Sequence, residues 1–122
     1  MKKLTIKMSF AVLGLGLSSL TFANCDFGNV YEDLQCYEKQ FSQAKVQLNK
    51  TYQKLYQQQN TNTQQALEQS QTAWLNYRDK QCNGLMGAIG SEAQGAGSGL
   101  IVTSCLAEMT TERSKTLAEL LD

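Results

Sequence analysis

A chain of 122 residues with 11 basic and 11 acidic side chains has none of the positive excess that a phosphate backbone attracts, which argues against nucleic acid as a partner. It contains no histidine, so the usual general base at neutral pH and the commonest nitrogen ligand for a metal are both missing. It also contains no proline, so no residue forbids a long helix.

In chain order, Lys2, Lys3 and Lys7 supply three positive charges before an apolar run over 8–17. Thr21 and Ala23 then stand at the two positions where a signal peptidase needs small residues. The run is too short for a bilayer span, which takes ~20 apolar residues, and no later segment meets that length. The sequence therefore predicts a secretory signal peptide over 1–23 and a single mature domain over 24–122. Acylation at Cys25 is the rival reading, but Asn24 and Phe22 suit a lipoprotein signal poorly. Without Lys2, Lys3 and Lys7, 8 basic residues face 11 acidic ones, a net charge of −3.

Cys25, Cys36, Cys82 and Cys105 all follow the expected cut, and an even count in an exported small protein reads as two disulfides. Their spacings of 11, 46 and 23 lack the close pairs of a zinc site, so no metal is expected.

The first helix is predicted over 30–59. Val30, Leu34, Tyr37, Phe41, Ala44, Leu48 and Leu55 step by four and three, with Thr51 filling the remaining place. Asn29 and Glu32 form a capping-box pattern at its start. Asn60-Thr61-Asn62-Thr63 is turn chemistry, with Asn62 and Gln65 reading as the next cap. A second helix over 63–85 carries Leu67, Ser70, Trp74, Tyr77 and Gln81 on one stripe. Six of the nine glycines fall within 84–99, which reads as a flexible connection. A third helix over 100–121 turns Val102, Leu106, Met109, Leu117 and Leu120 inward, with Arg113 on or beside that stripe.

Three helices joined by turns predict an all-α, disulfide-bonded, antiparallel three-helix bundle. The first helix, at ~45 Å, would outreach the third. In an up-down-up arrangement all four cysteines lie at one end, so all three pairings stay open. Cys25–Cys36 with Cys82–Cys105 is favoured, because each bond closes a local loop.

Catalysis finds no footing. Oxidised cysteines offer no thiolate, no serine sits in a Gly-x-Ser-x-Gly turn, and Glu32-Asp33 is accounted for by the helix start. The glycine segment lacks the Lys and Thr of a phosphate loop. The most specific string is Gln71-x-x-Trp74-x-x-Tyr77-Arg78-Asp79-x-x-Cys82. Trp74 and Arg78 read first as core and core margin, but Trp, Tyr and Arg are also the usual interface anchors. Trp74, Tyr77, Arg78 and Asp79, with Ser91 and Glu92 in the glycine segment, are the candidate partner-binding residues.

Cys25 with Cys36, Leu48-Asn49-Lys50-x-Tyr52, Trp74-Leu75-x-Tyr77-Arg78-Asp79-x-x-Cys82, Cys105 and Arg113 together resemble the LprI-type, lysozyme-inhibitor-like family of small secreted bacterial proteins. The resemblance spans nearly the whole mature chain. It implies a helical periplasmic or cell-surface domain and, for at least one member, inhibition of host lysozyme. An acidic protein would be steered toward basic lysozyme, and the segment over 90–99 could enter its cleft. The expected function is a periplasmic or secreted binding protein, without cofactor or catalysis, whose candidate target is a lysozyme-type muramidase. The alternative is an envelope structural or chaperone-like stress protein. No membrane association is expected after signal cleavage, and the oligomeric state stays open.

Overall fold

The computed structural model describes residues 24–93 and 95–122, and the expected signal segment over 1–23 lies outside the described residues. Every regular element among them is helical: α1 (Val30–Gln58), α2 (Thr61–Asp79), a π-helical stretch (Lys80–Met86), the short α3 (Gly87–Gly90) and α4 (Gly97–Ala118).

Local chemistry explains the boundaries of α1. Asn29 is extended, and its side chain accepts the Tyr31 N–H at 3.0 Å, while Glu32 and Asp33 lie in the first turn where the helix dipole favours acidic groups. The helix ends where Gln59 turns extended. The next cap is Asn60 rather than Asn62: its Oδ1 accepts the Thr63 N–H at 3.0 Å, so α2 begins two residues earlier than the turn chemistry suggests.

The glycine segment is the main departure from the sequence reading. Helical backbone continues unbroken from α2 through the π-helical stretch and α3, so one rod runs over 61–90. Among the described residues of this segment the chain leaves the helix only over 91–93 and 95–96, where Gly95 adopts φ +63°. Gly90 is buried, and a Cβ there would sit 3.2 Å from Ile101 Cδ1. A Cβ on Gly99 would meet Leu34 Cδ2 at 3.5 Å. These glycines let helices approach closely, and packing against α4 and α1 offsets their entropy cost.

The rods form an up-down-up bundle. Thr51 meets Ser114 and Gln58 meets Asp122 at separations of 63 and 64 residues, the near-constant offset of parallel neighbours α1 and α4. Between α2 and α4 the separation falls from 43 at Ser70–Arg113 to 32 at Arg78–Thr110, which makes that pair antiparallel. The first helix, 29 residues long, outreaches the 22 residues of α4, and the chain on either side of α4 covers its ends. Gly95 lies beside the Tyr31 hydroxyl at one end, and the Asp122 N–H donates to Gln58 Oε1 at 3.1 Å at the other.

The closest helix contact is between α1 and α4. Ala44, Leu48, Thr51 and Leu55 are buried on α1, and Ala107, Thr110, Thr111, Ser114 and Leu117 on α4. Most are small, and the two hydroxyls of Thr51 and Ser114 satisfy each other at 3.3 Å inside the seam. Leu48, Leu55, Leu67 and Leu117 form the aliphatic cluster where α2 joins, with Tyr52, Tyr56, Trp74 and Leu121 packed against it. Tyr52 and Tyr56 are half-buried there.

Two disulfides, Cys25–Cys36 and Cys82–Cys105, close the same end of the bundle. The first straps the N-terminal arm onto α1, helped by buried Asp33, whose Oδ1 accepts the Phe27 N–H at 2.7 Å. The second ties the rod of α2 to α4.

Candidate binding surface

The structure divides the sequence-predicted site. Trp74, on α2, is half-buried and lies between two guanidinium groups, with Arg78 Cζ 5.2 Å and Arg113 Cζ 5.8 Å from its ring centroid. Arg78 also lies 5.4 Å from the Phe41 ring of α1 and donates from Nη1 to Thr110 Oγ1 of α4 at 3.1 Å. Arg113 reaches back from α4, donating to Gln71 Oε1 at 3.0 Å and Ser70 Oγ at 2.9 Å. Burial lowers both arginine pKa values from their ordinary level, and the Asp79 carboxylate partly opposes the shift at Arg78. Both guanidiniums stay charged at any physiological pH, and neither forms an ion pair among the described residues. Trp74, Arg78 and Arg113 thus fasten α2 to the other two helices, and most of their surface is spent inside the bundle.

The remaining candidates face outward. Tyr77, expected on the same stripe as Trp74, is instead 58% exposed on α2. Asp79 is exposed and accepts the Asn83 amide at 2.6 Å, so it pairs along its own rod and not with Arg78. Ser91 and Glu92 are exposed in the turn after α3, where the Ser91 hydroxyl donates to the Ala88 carbonyl at 2.7 Å. Tyr77 and Asp79 therefore share the rod of α2, whereas Ser91 and Glu92 belong to the end of the bundle closed by the disulfides.

Sequence reasoning did not single out what lies beside Tyr77. A groove between the rod and α4 is lined by Tyr77, Gln81, Met86, Ile101, Ser104, Cys105, Glu108 and Met109. Its floor holds a sulfur cluster, with Met109 Sδ 3.5 Å from Cys82 Sγ and 4.0 Å from Cys105 Sγ. A smaller groove, also bordered by Glu108 and Met109, continues past Trp74, Glu112, Arg113 and Thr116. On the opposite flank of α4, Asn24, Cys25, Tyr37 and Gln40 line a third, which also borders Glu108 and Glu112. The inward stripe of α4 already included Met109, but an exposed glutamate on a helix carries no periodic signal. Glu108 emerges only once the helices are assembled.

Among the described residues no group of three or more Cys, Asp or Glu side chains could hold a metal ion, and no helix is long and apolar enough to cross a membrane. The geometry contains, among the described residues, no histidine and no free thiol. What it offers is a grooved surface with exposed aromatic, methionine and carboxylate groups.

Comparison with known proteins places this arrangement. The family model described as lysozyme inhibitor LprI matches residues 25–117. An uncharacterized protein of Rhizobium meliloti (strain 1021) is 31% identical over 101 residues, covering 71% of this chain and 70% of its own length. No solved structure matches.

Proposed function

The chain belongs to the lysozyme inhibitor LprI family, and from that premise we propose that its mature form is an exported, non-catalytic binding protein that inhibits lysozyme-type muramidases. The observation that carries the reading is the extent of the family match, which covers both disulfides and all three helical rods. Two further features support it. The residues after the expected signal carry a net charge of −3, which favours encounter with a basic lysozyme. All four cysteines are bonded, as befits an oxidising compartment and an inert scaffold.

Turbidity of cell-wall suspensions tests the proposal. Micromolar oxidised mature protein is expected to slow lysis by at least one c-type, g-type or bacterial muramidase. Unchanged rates for all three classes remove the proposal. A chaperone-like envelope role draws on a different observation, the exposed Phe27, Leu85 and Ile89 near the disulfide end. It predicts protection of unfolded clients, and a client-aggregation assay with no protection counts against it.

A further inference from the structure

One side of α4 carries exposed Glu108 and Glu112 and half-buried Ile101, Cys105 and Met109 at helical steps of three and four. Glu108 stands at its centre and borders the grooves on both flanks of the helix. The flank toward α2, a groove of about 490 Å³, is walled by Tyr77 and Met86 and floored by the sulfurs of Met109 and Cys105. The carboxylates on this face differ in their pairing. Glu112 is held by Lys115 at 2.9 Å, whereas Glu108 has no ion-pair partner among the described residues. The other flank is polar, lined by Asn24, Gln40, Glu112 and Lys115, so the complement of Glu108 on the α2 side, an unpaired carboxylate at the rim of a mainly apolar groove beside an exposed tyrosine and adaptable methionines, is a cation flanked by apolar groups.

We propose that the Glu108 face of α4 is a docking surface for a cationic, amphipathic segment of a partner protein. A Lys or Arg of that segment seats on Glu108, and its apolar neighbours enter the groove beside Tyr77. A second copy of this chain fits the surface worse, because two-fold docking of the face on itself brings like carboxylates together. An anionic lipid surface meets the same repulsion. The assignment rests on the inhibitory reading above only in that a basic muramidase is the expected owner of the segment.

The test titrates isotope-labelled, oxidised mature protein with two separate probes, a cationic c-type lysozyme and a short amphipathic Leu/Lys peptide. Both are expected to shift the amide resonances of Tyr77, Ile101, Glu108 and Met109. Glu108→Lys should weaken each interaction about tenfold. Glu119→Lys makes the same change of charge about three turns further along α4 and should leave binding within about twofold. Both positions are exposed, so helix content and melting temperature provide the check on folding. Peptide binding at this face without lysozyme binding supports the surface and removes c-type lysozyme as the owner of the segment. Lysozyme binding that maps elsewhere, or that Glu108→Lys and Glu119→Lys weaken equally, overturns the surface and spares the muramidase reading. Binding of neither probe overturns the surface. Shifts of these same resonances on raising the protein concentration alone assign the face to a second copy and overturn it too.

Discussion

The two seams of this bundle are built by opposite means. Between α1 and α4 the contacts are Ala44, Thr51, Ala107, Thr110 and Ser114, side chains short enough for the backbones to approach closely. Between α2 and those two helices few backbone positions approach closely, and Trp74, Arg78, Arg113 and a disulfide bridge the space. The first seam is specified by absence of bulk and fails when bulk is added. The second depends on the aliphatic cluster around Leu67, a few long side chains and one covalent bond, so it fails piecemeal. The same contrast places the grooves, because helices held apart by long side chains leave space between them at the surface, as they do beside Tyr77 and Met109.

The covalent bond offers the largest test. Replacing Cys82 and Cys105 together by Ser should cost about 3 kcal/mol in denaturant unfolding, because the bond closes a loop of 23 residues. Hydrogen exchange should then quicken over 80–90 while amides around Thr51 and Ser114 stay protected. Equal acceleration in both regions would show that the seams are not independent. Adding bulk to the other seam comes next. Ala107 is completely buried, and Ala107→Leu should destabilise by about 2 kcal/mol through overpacking, read as a lower urea midpoint at unchanged slope.

Arg78 sharpens the contrast from the other side. Its guanidinium is partly buried, and among the described residues it has no carboxylate ion-pair partner and its Nε no hydrogen-bond partner. If packing over Trp74 and Phe41 is its main contribution, Arg78→Met should stay within about 1 kcal/mol of the wild type. Arg78→Ala should lose roughly 2 kcal/mol, because it empties the space between two rings and leaves Thr110 without its donor. Equal losses for the two variants would assign the effect to charge instead. The smallest effect is at Thr111, whose buried hydroxyl has no partner among the described residues. Thr111→Val keeps the shape and removes an unsatisfied polar atom, so the melting temperature should rise by an amount equivalent to about 1 kcal/mol.

How far each region was legible follows from the same physics. The stripe of α1 and its Asn29 cap are local patterns, and the helix stands within one residue of where they put it. The misplaced second cap shows the limit of such patterns, since Asn60 and Asn62 both carry capping chemistry and only the chain's path out of α1 favours Asn60. The glycine segment was misread for a deeper reason. A glycine that permits flexibility and one that permits close approach look the same in a sequence, and only the presence of Ile101 against Gly90 distinguishes them. The candidate site suffered a similar ambiguity. Trp74 and Arg78 are the residue types of an interface anchor and also of a buried strut, and here they are the strut, with Tyr77 left to the solvent.

By itself the sequence determined the helical class, the order of the rods and, through four cysteines in a short chain rich in helix formers, a disulfide-clamped bundle. Those features depend on periodicity, capping and composition, which act over a few residues. Tertiary structure alone decided that the rod of α2 extends to Gly90, that the two arginines enclose Trp74 and that Glu108 stands unpaired between grooves. Each of these depends on which residue from a distant part of the chain arrives alongside, and such meetings are settled by how closely the helix backbones can approach.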